Sequence, residues 1–285
     1  MKIRIGGVPE HFNLPIHLAI EQKYFEQADI ELEWITYKGG TGQMTKALRD
    51  GEVDICIVLT EGIIADIING NPSKIISEYV TSPLTWGIHT GKENPLNSDK
   101  DIFSKQYAIS RFGSGSHLMA VVHAHQHNQN IQQSQFKVIK NLDGALHSLS
   151  TLDSDVFYWE KYTTQPYIDN GQLKRIGEYP TPWSCFVIAA TDHILEKAPL
   201  EVHNLLKIIN FSNYQFMLST HAILQVRDRY NLNLEDAKEW YINTTWATDN
   251  HIDNQMINKV VIALKAADIL DENIEIPSLT WRFTI

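Results

Sequence analysis

The feature that most constrains the fold is an alternation of strand-like and helix-like segments that runs from the amino terminus to about residue 190. The continuous apolar run 53–59 is typical of a strand buried on both faces. The alternation predicts a parallel α/β sheet. Strands are predicted at 2–8, 30–37, 53–59, 74–81, 84–89, 107–110, 136–139, 156–159, 173–177 and 185–190. Helices are predicted at 14–26, up to Leu48 after the turn 39–42, and at 63–68, 118–127, 142–149 and 160–168.

The alternating segments fall into two blocks, which a polar stretch at residues 90–98 separates. The chain crosses between the blocks near 86–92 and 184–191, so we expect two lobes around a ligand cleft. Lobe one comprises 1–88 and 190–285, and lobe two comprises 89–189. The remaining chain is predicted to be helical and to return to lobe one, with helices at 200–218, 221–230, 234–242 and 252–267 and a short apolar tail at 279–283.

Composition limits the possible partners. The formal net charge of −10 over 285 residues argues against nucleic acid or an anionic membrane surface as the main partner. The sequence contains neither a membrane-spanning apolar run nor a signal peptide, which predicts a cytoplasmic protein, or a periplasmic one if a signal was removed beforehand. Cys56 and Cys185 each lie in an apolar run and are predicted to be buried thiols, although spacing leaves their pairing open.

In open parallel sheets, ligands bind beyond the carboxyl ends of the strands, and this rule selects particular loops of the chain. These loops offer helix-start amides, hydroxyls, carboxylates and aromatic faces, which suit a small polar ligand with two unlike ends. The predicted ligand-binding residues are Glu10, His11, Phe12, Asn13, Gly40, Thr41, Thr60, Glu61, Ser82, Trp86, Ser114, Gly115, Ser116, His117, Trp159, Glu160 and Trp183.

The segment 107–119 is the clearest of these loops. An apolar strand runs into a Gly-Ser-Gly-Ser turn, and a helix without proline or glycine follows from Leu118. The unpaired amides at such a helix start, with the helix dipole, favour an anion or a strong acceptor, and Ser114 and Ser116 add hydroxyls. The alternative is that one of these serines only caps the helix.

The other candidates also have structural alternatives. Glu61 is favourable at a helix start, Trp159 and Trp183 are often core residues, and His11 and His117 could hydrogen-bond backbone groups. The i, i+4 pair His123 and His127 could bind metal, but its surroundings are typical of a solvated helix end, so we predict no metal and no cofactor. No nucleophile elbow, phosphate-binding loop with its lysine, or dinucleotide fingerprint occurs in context.

Four motifs resemble the type 2 periplasmic-binding-protein fold, in particular the substrate-binding proteins for sulfonates and their thiamine-pyrimidine-synthase relatives. The motifs are Phe-Asn-Leu-Pro at 12–15, Gly-Gly-Thr at 39–41, Gly-Glu-Val-Asp-Ile at 51–55, and Ile-Ser-Arg-Phe-Gly-Ser-Gly-Ser-His at 109–117. The resemblance covers most of the chain and implies two lobes that close around a small molecule. It also implies an ABC permease as a possible partner.

Two departures from the family matter for function. Members that serve transporters carry an export signal, and the pyrimidine synthases carry a cysteine-rich run; this sequence shows neither. The resulting expectation is a binding protein for an anionic or zwitterionic ligand, with a ring as one option for the rest of the molecule. The alternative is a cytosolic enzyme on the same fold, of the pyrimidine-synthase or menaquinone-precursor lyase type. His11, Glu61, His117 or Glu160 would then supply the acid or base.

Overall fold

The computed structural model describes residues 2–284, which divide into two compact units. Unit one contains residues up to 82, residues 183–260 and the chain from 273 onward, and unit two contains 83–182 and 261–272. The structure therefore passes between units at 82/83 and 182/183, a few residues before the boundaries expected from the sequence. It also groups 261–272 with unit two, whereas the sequence predicts this segment in lobe one.

The sheet of unit one has five strands among the described residues, in the order β2-β1-β3-β10-β4. Strand β1 pairs in parallel with β2 and β3, whereas β10 runs antiparallel to both β3 and β4. The strands are β1 (Lys2–Gly7), β2 (Glu31–Thr36), β3 (Ile55–Leu59), β4 (Ser73–Val80) and β10 (Phe186–Thr191). Strands β3 and β10 are almost wholly buried, which agrees with their continuous apolar sequences.

The helices of unit one follow the strands and then continue as a helical segment. They are α1 (Leu14–Glu21), α2 (Thr41–Arg49), α3 (Thr60–Ile68), α7 (Asp192–Lys197), α8 (Pro199–Leu218), α9 (Ala222–Tyr230) and α10 (Leu234–Ile242). A further helix, α11 (Asn254–Ala266), begins in unit one and ends in unit two. Local signals set several ends: proline lies in the first turns of α1 and α8, and Asn231 ends α9 in the left-handed conformation.

The sheet of unit two also has five strands in the described chain, in the order β7-β6-β8-β5-β9. Strand β6 pairs in parallel with β7 and β8, whereas β5 runs antiparallel to β8 and β9. The strands are β5 (Thr85–Gly91), β6 (Tyr107–Ile109), β7 (Phe136–Val138), β8 (Val156–Glu160) and β9 (Leu173–Pro180). The helices are α4 (Gly115–Gln126), α5 (Leu142–Ser150) and α6 (Gln165–Asp169).

The α/β class and the two-lobe architecture are confirmed, but both sheets are mixed, so the expectation of purely parallel sheets is wrong. Some helix limits were also wrong. The predicted helix 160–168 is α6, which begins only at Gln165, because Glu160 is the last residue of β8. The predicted helix 63–68 begins earlier, at Thr60, and the helix predicted from Leu118 begins at Gly115.

Three further observations concern the described chain as a whole. Cys56 and Cys185 are both free and buried. None of the helices within residues 2–284 is long and apolar enough to cross a membrane. In the same span, no group of three or more His, Cys, Asp or Glu side chains is arranged to hold a metal ion.

Candidate functional site

The predicted residues of unit one lie where the topology brings several strand ends to one edge of the sheet. Strands β1, β2 and β3 are parallel and end at this edge, and the antiparallel strand β10 begins there, since Phe186 pairs with Leu59. We call residues 10–13, 40–41, 60–61 and 183–184 the unit-one loop cluster. Because the carboxyl edge of parallel strands is the usual ligand edge, this cluster is the candidate site of unit one.

Thr60 fixes the first turn of α3 to the segment that precedes β10. Its amide donates to the carbonyl of Cys185 at 3.1 Å, and its hydroxyl donates to the carbonyl of Ser184 at 2.6 Å. Thr60 itself is fully buried, and its hydrogen bond to Ser184 is partly buried. Thr60 therefore positions the segment 183–184 against the start of α3.

Thr41 connects the start of α2 to the same region. Its hydroxyl oxygen accepts a hydrogen bond from the amide of Leu59 at 3.3 Å. Its methyl group approaches α3 so closely that a Cβ on Gly62 would lie 2.4 Å from Thr41 Cγ2. Only glycine fits at position 62, and the first turns of α2 and α3 are consequently held in contact.

Glu61 and Trp183 form the most unusual contact of the unit-one loop cluster. The indole Nε1 of Trp183 donates to Oε2 of Glu61 at 3.0 Å, and the two side chains are only 5% and 2% exposed. The other carboxyl oxygen, Oε1, is buried and accepts no hydrogen bond from another described residue. Burial raises the pKa of Glu61 to about 7, although its own backbone amide and the Trp183 indole act in the opposite direction.

His11 and Phe12 lie in an aromatic environment rather than among charged groups. The centroid of the His11 ring lies 4.4 Å from the centroid of the Trp240 ring. Burial lowers the pKa of His11 to about 3, so the imidazole is neutral near pH 7. The carbonyl of Phe12 accepts two buried hydrogen bonds, from the Tyr79 hydroxyl at 3.0 Å and from the Trp246 indole at 2.9 Å. This turn is therefore held rigidly by residues far away in the sequence.

The remaining predicted residues of unit one shape its loops. Asn13 donates from Nδ2 to the carbonyl of Val8 at 2.8 Å, and the carbonyl of Glu10 accepts from the Asn13 amide. Gly40 has a φ of +66° in open space and forms the turn that starts α2. Ser82 accepts from the amide of Thr245 at 3.1 Å through its side chain, so it braces a loop at the end of β4.

In unit two, strand register places Trp86 between Glu160 on β8 and Tyr179 on β9. We call Trp86, Glu160 and residues 114–117 the unit-two loop cluster. Trp86 is 5% exposed, and its indole Nε1 has no hydrogen-bond partner among the described residues. An indole N–H can only donate, so only a hydrogen-bond acceptor could pair with it.

Glu160 is buried, but its neighbours satisfy it better than those of Glu61. Its Oε2 accepts from the amide and the hydroxyl of Thr163, at 2.6 and 2.8 Å. Burial raises the pKa of Glu160, and the hydrogen bonds from Thr163 counteract that rise. The carboxylate thereby closes the turn that follows β8.

The serines of the turn 113–117 use their hydroxyls within the turn itself. Ser114 donates to the carbonyl of Arg111 at 2.7 Å and caps α4 by accepting from the amide of His117. The Ser116 hydroxyl oxygen lies 3.0 Å from that of Ser114 and accepts from the amide of Ser110. The two serine hydroxyls therefore take part in the helix cap and its turn, as the alternative interpretation predicts. The amides of Gly115 and Ser116, at the first two positions of α4, have no intrahelical acceptor.

His117 makes its contacts with the turn before α4 and with neighbouring aromatic rings, and Trp159 lies on the opposite face of β8 from Glu160. The Nδ1 of His117 accepts from the amide of Gly113 at 3.2 Å, and its ring lines a pocket of about 560 Å³ together with Phe112 and Phe136. Burial lowers the pKa of His117 to about 4. Trp159 is adjacent to Glu160 on β8, so it points to the other face of the sheet, where its ring stacks on Phe157 at 5.1 Å.

Three residues that the sequence analysis missed support these clusters. Tyr79 and Trp246 hold the Phe12 carbonyl, and Tyr179 lies beside Trp86 with a buried hydroxyl that has no partner in the described chain. Their positions depend on strand pairing and on the helical segment that follows β10. No local pattern in the sequence could have identified them.

Comparisons with known proteins give the class of the chain. The family model described as a Ca3427-like PBP matches residues 86–179. The CA3427 gene product of Candida albicans, whose structure has the generic periplasmic-binding-protein fold, is 32% identical over 96% of this chain and 92% of its own, with a TM-score of 0.88. No curated protein matches the chain.

More distant structures share the fold at lower identity. The alkanesulfonate-binding protein SsuA from Xanthomonas axonopodis, solved with MOPS, is 12% identical over 99% of this chain and 98% of its own, with a TM-score of 0.80. PhnD1 from Prochlorococcus marinus, solved with methylphosphonate, is 12% identical over 94% of this chain and 99% of its own, with a TM-score of 0.63.

The chain is therefore a protein of the periplasmic-binding-protein fold. Within that class it belongs to the family defined by the Candida albicans CA3427 gene product. The recognition made from the motifs at 12–15, 39–41, 51–55 and 109–117 is confirmed at the level of the fold. The ligand cleft that the resemblance implies and the individual ligand contacts stay predictions.

Proposed function

We propose that this protein is a non-catalytic small-molecule-binding protein and that its ligand contacts the strand-end loops described above. The observation that carries the proposal is the Trp86 indole N–H, which is buried at a strand end without an acceptor in the described chain. Leaving a buried donor unpaired costs about 1–3 kcal/mol. A ligand oxygen that accepts from Nε1 would remove this cost.

The chemistry of unit two favours an anionic or strongly accepting group on the ligand. The free amides of Gly115 and Ser116 lie at the positive end of the α4 dipole, and such helix starts bind anions. Two proteins of the same fold were solved with a sulfonate or a phosphonate, which are compounds of this type. We therefore propose a small ligand with an anionic head group, and a ring-containing or zwitterionic remainder is compatible with the aromatic side chains nearby.

The first test is to find the ligand. Native mass spectrometry of the purified protein should show a bound small molecule, and a thermal-shift panel of sulfonates, phosphonates, pyrimidines and carboxylates should raise the melting temperature for at least one class. A Trp86→Phe variant should then weaken that ligand about 3- to 10-fold, the effect of one hydrogen bond.

Trp159→Phe is the matched control, because Trp159 packs on the other face of β8. It should leave the affinity within about twofold. If neither method finds a ligand, or if Trp86→Phe binds as tightly as the control, the proposal is wrong.

An enzyme on the same fold is the second candidate, and one observation favours it. The pKa of Glu61 is raised to about 7 by burial, and such values are typical of general acids and bases. Incubation of the protein with the compound that it binds distinguishes the two functions. A binding protein releases that compound unchanged, whereas an enzyme releases a product of different mass.

A permease partner and the cellular location remain part of the proposal only. A ligand-binding component of an ABC-type import system from Staphylococcus aureus shares the fold at 14% identity, with a TM-score of 0.72. By this analogy we propose that the chain serves an ABC permease. Cell fractionation and cross-linking to membrane proteins would test both points in cells that express the untagged native protein. A wholly cytosolic protein without a cross-linked permease would refute the transport role.

A further inference from the structure

The carboxyl group of Glu61 is held in one orientation, and only one of its two oxygens has a hydrogen-bond partner among the other described residues. The Trp183 indole N–H donates to Oε2 at 3.0 Å, and this donor cannot act as an acceptor. The contact therefore fixes which of the two carboxyl oxygens faces the indole. The second oxygen, Oε1, is buried and has no hydrogen-bond partner in the described chain.

The unpaired oxygen is unusual among the buried polar atoms of the described chain. Several hydroxyl, amide and ring atoms also lack partners there, but Glu61 Oε1 is the one carboxylate oxygen in that set. Glu61 is 2% exposed, so solvent does not compensate for the missing donor. Because an unpaired carboxylate is more costly than an unpaired neutral group, Oε1 has the strongest demand for a hydrogen-bond donor.

None of the described residues places a donor within hydrogen-bonding distance of Oε1. The hydroxyl of the preceding residue, Thr60, donates to the carbonyl of Ser184 instead. A bound molecule could therefore supply the donor for Glu61. Amino groups suit a carboxylate best, because charge-assisted N–H donors form the shorter and stronger hydrogen bonds.

We propose that Oε1 of Glu61 binds a primary amino group of the ligand and that Trp183 is the residue that orients it. The inference rests on the proposed binding function and narrows it to ligands that carry a primary amino group. Trp183 acts here through Glu61, so it is a positioning residue.

The test compares two pairs of probes that differ only at the amino group. Taurine is compared with isethionate, and aminomethylphosphonate with methylphosphonate, by isothermal titration calorimetry at pH 8. The wild-type protein should bind the amino member of at least one pair about tenfold or more tightly than its partner.

Glu61→Gln provides the decisive variant. The Trp183 indole still requires an oxygen acceptor, so the amide –NH₂ of glutamine takes the place of Oε1 and an acceptor becomes a donor. The preference for the amino member should disappear, while the affinity for the hydroxyl or methyl member stays within about twofold. Glu52→Gln removes the same charge from an exposed position of unit one and should leave the preference intact.

Trp183→Phe gives an independent measurement, since it frees the carboxyl group without removing it. The amino preference should then fall to an intermediate value. A partial loss with Trp183→Phe and a complete loss with Glu61→Gln would together support the orienting role.

The possible failures can be told apart. If a compound binds but Glu61→Gln keeps the preference, or if no preference exists in the wild type, the amino subsite is wrong and the binding function stands. If none of the four compounds binds, the subsite as stated is also wrong. The binding function itself falls only if native mass spectrometry finds no bound molecule either.

Discussion

Replacement of Glu61 by glutamine should change how the stability of the protein depends on pH. Burial raises the pKa of this carboxyl group from 4.5 to about 7 in the folded protein, and no charged side chain is among the causes. In the unfolded chain the group regains its ordinary pKa. Between these two values the folded state binds the proton more tightly than the unfolded state, so the free energy of unfolding falls as the pH rises.

The size of the effect follows from the two pKa values. The difference between 4.5 and about 7, at about 1.4 kcal/mol for each pKa unit, corresponds to about 3 kcal/mol of stability. This stability is fully present below pH 4.5 and is lost as the pH rises through about 7. Most of the change, about 2 to 3 kcal/mol, should fall between pH 5 and pH 8.

The assay is urea unfolding of the wild type and of Glu61→Gln at several pH values in that interval. Other buried groups act in the opposite sense: burial lowers the pKa of both His11 and His89 to about 3, which adds stability as the pH rises. The difference between the two proteins removes these contributions, because both histidines are present in each.

The wild type should lose about 2 to 3 kcal/mol relative to Glu61→Gln between pH 5 and pH 8. The matched control Glu52→Gln removes a carboxylate from an exposed position and serves as the comparison for charge removal alone. A constant difference between the wild type and Glu61→Gln over this interval would refute the claim that Glu61 is buried with a raised pKa.

Three further predictions concern the framework of the clusters. Gly62→Ala should lower the free energy of unfolding by about 1–3 kcal/mol, because its Cβ would lie 2.4 Å from Thr41 Cγ2. Thr41→Ser removes that methyl group, so the double variant should recover most of this loss when both are measured by urea unfolding. Thr60→Val removes a buried hydroxyl at nearly constant shape and should cost about 1 kcal/mol in the same assay, with a smaller change refuting its bracing role. Cys56 and Cys185 are buried, and burial raises the pKa of the Cys56 thiol. Both thiols should therefore react with a thiol reagent only as fast as the protein unfolds locally or globally. Prompt labelling of either cysteine in the native state would contradict this prediction.

The sequence predicted the positions of most strands and helices but not the direction of every strand. Alternation predicted that β1, β2 and β3 belong to a parallel sheet with helices between them, and β1 does pair in parallel with both β2 and β3. It did not predict that β10 returns antiparallel between β3 and β4. An antiparallel strand buried on both faces has the same continuous apolar sequence as a parallel one, and direction is decided by where the chain re-enters the sheet.

Helix starts were misplaced because glycine and serine are ambiguous there. Gly62 suggested a turn before α3, and Gly115 suggested one before α4, yet both lie inside the first turns. Glycine is costly in a helix interior, but at position 62 close contact with Thr41 requires it. The packing partner that explains this glycine is 21 residues away in the sequence, so local propensity could not reveal it.

The candidate residues were predictable as types at strand ends, but their roles were not. Ser114 and Ser116 were selected for free hydroxyls, and the structure shows these hydroxyls bonded within the turn. Trp159 and Glu160 were selected together, although neighbouring residues of a strand point to opposite faces. Glu160 consequently shares a row with Trp86, whereas Trp159 packs on Phe157.

Glu61 and Trp183 show what a three-dimensional arrangement adds to two correct predictions. They are 122 positions apart, and each had an ordinary structural explanation when considered alone. Their contact changes the hydrogen bonding of the carboxyl group. The indole N–H donates to one carboxyl oxygen, while burial excludes water from the other, which has no partner in the described chain. The same burial that raises the pKa of Glu61 also makes Oε1 a selective acceptor, since every donor that reaches it replaces no hydration. A stability cost in the empty protein and selectivity for an amino group are therefore two consequences of one contact, and measuring either the pH dependence or the amino preference tests the same geometry.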